Sequence, residues 1–208
     1  MCPVARALDV VGERWTLLVV RELLLGPKRF KELMARLPAM GTNRLSERLK
    51  ALTAQGVVER RTLPPPADVA VYQLTPRGEE LRPIVLGLAV WGSQLAPDER
   101  VDPATARAEL IALTLAARIP REATAGLHET YEFHVGDEHF HIALDDGEAA
   151  ARSGASPREP AVLVDCDLPT FARIAWGKLT PSQALSSGDA RIAGETPAVN
   201  RALRALAV

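Results

Sequence analysis

Cysteine, long apolar runs and net charge are all scarce in this chain, and each scarcity narrows what it can be. Two cysteines, Cys2 and Cys166, stand far apart in 208 residues. They make no disulfide framework, and a reducing cytoplasm is the expected compartment. No apolar run approaches the roughly 18 residues that a membrane span needs, and the N-terminus lacks the charged, apolar and small-residue succession of a secretory leader. A soluble protein with no membrane partner is therefore expected. Signatures of catalysis are missing as well: there is no Gly-x-Ser-x-Gly elbow, phosphate loop, dinucleotide fingerprint or His-Glu-x-x-His helix. Asp145 and Asp146 lie in a turn, where carboxylates serve the backbone. Neither an enzyme nor a cofactor is expected.

A net charge of −1 argues, taken whole, against a nucleic-acid partner. The average conceals two unlike halves. Residues 1–96 carry 14 Lys/Arg against 9 Asp/Glu, a net of +5, and residues 97–208 carry 11 against 17, a net of −6. Opposite signs predict two domains with different partners. The hydrophobic content of 47% and charged content of 25% are ordinary for globular domains that bury a core.

The most informative stretch runs from Arg29 to Leu63. Phe30, Leu33, Met34 and Leu37 recur at helical spacing until Pro38 and Gly41 break the run. A second helix must begin after Gly41. Thr42 is its expected N-cap, worth about 1 kcal/mol, and Leu45, Leu49 and Leu52 form one buried stripe that ends at Gln55-Gly56. The opposite side of the wheel carries Asn43, Glu47 and Lys50, with Arg44 beside them and Ser46 and Arg48 on the flanks. A merely solvated face has the same composition, so the segment after Gly56 decides between the readings. VVERRTL and VAVYQL read as two strands about a proline-stiffened PPPAD tip, with Arg60 and Arg61 at the base. Helix, turn, helix, basic hairpin is the order of a winged helix-turn-helix. Lys28 to Arg61 holds nine Lys/Arg against three Glu, a net of +6, which is the electrostatic footprint of phosphate binding.

CPVARALDVVGERWTLLVVRELLLGPKRFKEL, then LSERLKALTAQGVVERR and YQLTPRGEEL, together resemble the HxlR-type family of bacterial winged-helix transcriptional regulators over about the first 95 residues. The resemblance implies a dimer that sets one recognition helix per subunit into adjacent major grooves of double-stranded DNA. It implies base reading by Thr42, Asn43, Arg44, Ser46, Glu47, Arg48 and Lys50. Lys28, Arg29, Arg60 and Arg61 are the expected phosphate contacts. The Pro-Pro-Pro-Ala-Asp tip has no arginine, a departure that speaks against deep insertion into the minor groove. In part of the family a cysteine near Cys2 senses oxidants or electrophiles. Cys2 sits beside the amino terminus and a helix start, both of which favour thiolate, but a whole second domain is available to do the sensing and an inert terminus is the favoured reading.

Two helices flank this module. Val4, Ala7, Leu8 and Val11 give residues 3–12 an apolar side. Arg14 to Leu25 is a strongly apolar core helix in which Trp15 is a packing residue. After the wing, Thr75 caps a helix with Pro76 in its first position, and Leu81, Ile84, Val85, Leu88, Trp91 and Leu95 form a stripe about four turns long. A winged domain of this size offers little core to cover that stripe. Pairing with the N-terminal helix across a twofold axis is expected, and a C2 homodimer suits a palindromic operator.

Pro97 to Pro103, PDERVDP, reads as a linker, giving a winged domain over 1–96 and an α+β domain over 104–208. The fold class expected for the whole is α+β. In the second domain a helix is followed by LHETYEFHV, a Gly136-Asp137 turn and EHFHIAL, a strong hairpin signal. In that register His134 faces His139 and Glu132 faces His141. His128, Thr130, Glu132, His134, His139 and His141 would then share a wet face, with Tyr131, Phe133, Val135, Phe140, Ile142 and Leu144 inside. Histidines at such spacing beside Glu132 suit a divalent metal, yet an ordinary polar sheet face looks the same, and no metal is expected.

Two short helices, the strand ARIAG and a last helix complete the chain. From about Glu109 to Val208 this order resembles the sterol-carrier-protein type 2 domain. That resemblance implies an apolar tunnel for a hydrophobic small molecule, with Tyr131, Phe133, Phe140, Ile142, Phe171, Ile174, Trp176 and Leu185 as lining candidates. The expectation is thus a dimeric bacterial transcriptional regulator with a hydrophobic effector. The competing class is a hydrophobic-ligand carrier that uses its winged domain to dimerise.

Overall fold

The computed structural model describes residues 2–95 and 106–207; the expected linker at 97–103 lies outside them. The chain divides into two compact units, Met1–Trp91 and Gly92–Val208.

The N-terminal unit opens with α1 (Pro3–Val11), α2 (Thr16–Leu24), α3 (Phe30–Arg36) and α4 (Thr42–Ala54), followed by the antiparallel pair β1 (Val58–Thr62) and β2 (Ala70–Leu74). Helix α2 is the centre of the core. Val19, Val20, Leu23 and Leu24 are buried with Leu33 of α3 and Leu45, Leu49 and Leu52 of α4, the stripe that the spacing of leucines predicts. Thr42 turns out not to be the cap of α4. Gly41 takes the N-cap position at φ 76°, and Thr42 is the first helical residue. A left-handed residue achieves the reversal after Met40 with no Cβ to clash, so the cap sits one residue earlier than the side-chain chemistry of Thr42 suggests.

The long helix expected after the wing is also broken. Thr75 caps α5 (Pro76–Glu79), its hydroxyl accepting the Gly78 N–H at 3.1 Å, and α6 (Arg82–Gly92) starts anew. Pro83 has no N–H to give to the carbonyl of Glu79, so a continuous ladder cannot pass this point. Arg82 bridges the break by pairing with Glu79 at 2.7 Å and donating to the Leu24 carbonyl at 3.3 Å.

In the C-terminal unit α7 (Ala108–Arg118) and α8 (Arg121–Thr124) precede β3 (His128–Val135), β4 (Glu138–Asp145), β5 (Glu148–Ser153) and β6 (Val162–Cys166). After them come α9 (Leu168–Ala175), α10 (Pro181–Ser187), β7 (Ala190–Gly194) and α11 (Thr196–Ala205). The five strands form one mixed sheet in the order β5-β4-β3-β6-β7, with β3 and β6 parallel. The register pairs His134 with His139 and Glu132 with His141, as the two-residue turn dictates. At the centre Phe133 stacks on Phe140 at 5.2 Å between ring centroids, and Phe171 from α9 tilts against both at 5.7 and 5.3 Å. The Glu138 carboxylate accepts the Ala108 and Glu109 N–H groups at 2.7 and 3.3 Å, fixing the start of α7 to the β3–β4 turn.

Candidate DNA interface and ligand-binding core

Helix α4 divides its side chains cleanly. With Leu45, Leu49 and Leu52 turned into the core, Thr42, Asn43, Arg44, Ser46, Glu47 and Lys50 are left exposed. Arg44 and Lys50 take part in no ion pair among the described residues, so both charges stay available to a partner. Arg48 differs. Its guanidinium meets the Glu13 carboxylate at 3.2 Å, its side chain is only 22% exposed, and its Nε is buried without a hydrogen-bond partner among the described residues.

Arg29 keeps its expected place in solvent and Lys28 does not. Arg29 is exposed at the start of α3, its backbone N–H given to Glu32 at 2.6 Å. Lys28 is 5% exposed. Its backbone bridges Tyr72 through hydrogen bonds of 2.9 and 2.8 Å, adding a short third rung beside β2 that carries the side chain inward, where its Nζ donates to the Gly26 carbonyl at 3.4 Å. Lys28 is therefore turned away from the solvent in which the expected phosphate contact would be made. Arg60 and Arg61 are both exposed on β1, opposite Tyr72 and Val71. Successive strand residues point to opposite faces, so the two project from opposite sides of the hairpin.

The apolar stripe of α6 is largely uncovered: Ile84, Leu88 and Trp91 are about half exposed or more, as are Leu95 beyond it and Val4 and Leu8 on α1. Only Val85 of α6 is buried in its own unit. Both helices thus leave large apolar side chains in solvent.

In the C-terminal unit the lining candidates separate into three groups. Phe133, Phe171, Ile174 and Leu185 border an apolar cavity together with Leu115, Val164, Cys166, Pro181, Ala190, Ile192, Leu203 and Leu206. Tyr131, Phe140 and Ile142 are buried core that does not reach this cavity, and Trp176, 40% exposed, stands outside it as the C-cap of α9. The cavity itself measures about 30 Å³, room for one water molecule and far below the few hundred Å³ of a filled ligand site. The space among these side chains is thus too small for the hydrophobic molecule expected there. The second wall, Val164 and Cys166 on β6, was legible from alternation along VLVDC, whereas the α10 and α11 contributions depend on packing that no periodicity discloses. Cys166 is buried there; burial first, then the neighbouring Asp167 and Asp165 charges, push its thiol up to about 12, which keeps it unreactive.

A different cleft, of about 650 Å³, opens at the end of the sheet between β3, the β5–β6 loop and α11. Arg201 pairs with Glu129 there, and Glu129 accepts the Tyr131 hydroxyl at 3.2 Å. Burial and the Glu129 charge raise the Tyr131 phenol to about 12. On the outer face His134 and His139 stack at 4.2 Å, and the His134 Nε2 lies 2.9 Å from Glu132. His141 departs from its expected place on the wet face: it is 8% exposed and its Nδ1 bonds the Gly154 carbonyl at 2.9 Å, because the segment after β5 folds over it. Among the described residues no group of three or more His, Cys, Asp or Glu side chains is placed to hold a metal, and no helix is long and apolar enough to cross a membrane.

Comparison with known proteins finds two family matches along the chain. Residues 10–100 match the family described as HxlR-like helix-turn-helix, and residues 111–206 match the SCP-2 sterol transfer family. Over 95 residues the chain is 40% identical to the uncharacterized HTH-type transcriptional regulator YvaP of Bacillus subtilis (strain 168), spanning 45% of this chain and 88% of that protein. It is 37% identical over 95 residues to the HTH-type transcriptional regulator YodB of the same bacterium, spanning 45% and 85%. The solved structure of the reduced form of YodB is 36% identical, covering 49% of this chain and 99% of that one, with a TM-score of 0.41.

Proposed function

We propose, from the premise that this chain belongs to the HxlR-like helix-turn-helix family and is a DNA-binding regulator of transcription, that it acts as a homodimer whose C-terminal domain binds a hydrophobic effector. The observation that carries this reading is the two-sidedness of α4: three leucines anchor it while Asn43, Arg44 and Lys50 stand exposed on its other side. Arg44 and Asn43 have the fork and amide geometries that read guanine and adenine edges. Arg29, Lys50, Arg60 and Arg61 add phosphate contacts that position without specifying. The uncovered apolar faces of α1 and α6 provide the twofold contact that presents two such helices to successive major grooves.

The effector half of the proposal rests on the SCP-2 match and on the apolar walls around Phe133, Phe171 and Ile174. Because the space among them is closed, a sterol-sized guest enters only if α9 and α10 part from the sheet. A ligand that prefers the parted form shifts the equilibrium by its differential affinity, and by no more than that. The domain boundaries proposed are 1–96 and 104–208.

Purified full chain, used to select bound fragments from the host genome, supplies the operator. Log affinity for it should fall with log salt at about −0.9 per phosphate neutralised. A hydrophobic-ligand carrier that merely dimerises through its winged unit would show no salt-dependent duplex binding, and that result would overturn the reading.

A further inference from the structure

On the flank of the reader helix, Arg48 is paired with another part of the protein. Its Nη2 lies 3.2 Å from Glu13 Oε2. The same Glu13 oxygen accepts the Trp15 N–H at 3.3 Å, and the Glu13 carbonyl accepts the Thr16 N–H at 2.9 Å. Glu13 is therefore the residue that closes the corner between α1 and α2, and one carboxylate oxygen ties that corner to the flank of α4. A Cβ added at Gly12 would lie 2.5 Å from the Leu8 carbonyl oxygen, so the exit from α1 is built on a residue without a side chain, the most permissive kind of backbone hinge.

Helix α1 is the opposite kind of element. Among the described residues none from Pro3 to Val11 is buried, and Val4 and Leu8 are 66% and 57% exposed. Its own unit does little to hold it. Where α1 settles is then decided by whatever covers its apolar side, and any rotation of α1 about Gly12 moves Glu13 first.

We propose that Arg48 is a positioning residue rather than a base reader, and that the Glu13–Arg48 pair transmits the seating of α1 against its partner subunit to the angle of the DNA-reading helix. This rests on the reading of α4 as the reader helix and of α1 as part of the dimer contact. The pair is partly exposed, a setting in which ion pairs contribute about 0.2–1 kcal/mol, so its effect is a bias on helix orientation and not a structural requirement. It falls on the discrimination between sequences, which is sensitive to sub-ångström register, more than on total affinity, which phosphates dominate.

The test uses the full chain, the selected operator duplex and a random duplex of equal length, each titrated over a salt series. Arg48→Gln and Glu13→Gln should each lower the operator-to-random affinity ratio by about threefold to fivefold, the upper range for such a pair, with the salt slope unchanged. The exchanged pair Glu13→Arg with Arg48→Glu should recover most of the ratio. If instead Arg48→Gln flattens the slope by about 0.9, Glu13→Gln strengthens both duplexes alike, and the exchanged pair binds worse than either single variant, then Arg48 is a phosphate contact and the proposal is overturned. Arg44→Ala in the same series separates the two levels: its loss of operator affinity alongside unaltered ratios for Arg48→Gln and Glu13→Gln defeats this inference alone, whereas absence of salt-dependent duplex binding by the unaltered chain defeats the reader helix as well.

Discussion

In the N-terminal unit most side chains assigned to function stand in solvent on a helix whose other face is anchored, whereas in the C-terminal unit most of them are packed against one another with room for a single water. On the proposed function, exposure and burial here follow from what each partner would be. DNA is a polyanion met at a surface, so its contacts must be exposed and uncommitted before binding. A hydrophobic effector must be taken out of water, so its contacts are apolar and, without it, collapse onto each other. The consequence of that proposal is an N-terminal site that is preformed and a C-terminal one that has to be opened. Replacements in the two units should therefore fail in different ways, binding without unfolding in the first and unfolding in the second.

The largest effect expected is that of Phe171→Ala. Its ring touches both Phe133 and Phe140 and is 2% exposed, so truncation should cost about 3–5 kcal/mol. Thermal unfolding followed by tryptophan fluorescence and circular dichroism should show a lowered transition for the C-terminal unit. Salt-dependent DNA binding measured well below that transition should survive. Loss of both together would mean that the two units are energetically one.

Next comes the uncovered stripe. Leu88→Glu puts a charge where α6 exposes apolar surface and should turn dimer into monomer in sedimentation, with operator affinity falling by at least about 2 kcal/mol, as for a central interface residue. A dimer that persists would move the twofold contact elsewhere. Arg44→Ala follows, at about 1–3 kcal/mol on the operator and much less on random duplex, while Arg60→Ala should weaken both alike and flatten the salt slope by about 0.9. Equal losses for Arg44→Ala on both duplexes would remove it from base reading.

What is legible in the sequence and what is not divide along the range of the interactions concerned. Periodicity places α4 through Leu45, Leu49 and Leu52, and turn chemistry at Gly136-Asp137 sets the β3–β4 register to the residue, because both are local signals. The break between α5 and α6 is also local, written in Pro83, but the continuous apolar stripe from Leu81 to Leu95 masks it. Lys28 and Arg48 escape sequence reasoning for a different reason. Their fates depend on Tyr72 and Glu13, tens of residues away, and a cation destined for a backbone bridge or an ion pair looks the same in sequence as one destined for phosphate. His141 escapes likewise, since only the fold of the segment at Gly154 covers it. Closure of the cavity is a matter of how α9, α10 and α11 pack, and composition says nothing of it.

Smaller effects test the C-terminal scaffold without emptying its core. Asp167 caps α9 by accepting the Thr170 N–H at 2.8 Å, and that hydrogen bonding holds its carboxyl below the usual range. Asp167→Ala should cost about 1 kcal/mol, and because α9 carries Phe171 and Ile174 over the closed cavity, it should also raise affinity for an apolar fluorescent probe. Destabilisation without a gain in probe binding would place the opening motion elsewhere than α9.

The smallest effect concerns Glu132, on the face of the sheet away from the aromatic cluster. Burial opposes its charged form, but the Ser156 N–H at 2.7 Å and the His134 imidazole at 2.9 Å overcome that and hold its carboxyl below the ordinary value of 4.5. A carboxyl whose value is lower in the folded than in the unfolded chain stabilises the fold fully above the unfolded value and loses that contribution as pH falls towards the folded one. The fold should therefore lose stability as pH is lowered from about 5 through the acid range, and Glu132→Gln, which cannot titrate, should lack that part of the loss, a difference within about 1 kcal/mol. Melting curves for the two proteins across this range make the comparison. DNA binding at neutral pH should be the same for both, since Glu132 belongs to the unit to which the proposed function assigns no duplex contact. A change in operator affinity at neutral pH on replacing Glu132 would instead mean that the outer sheet face reports to the winged unit, and the division of labour drawn between the two would have to be redrawn there.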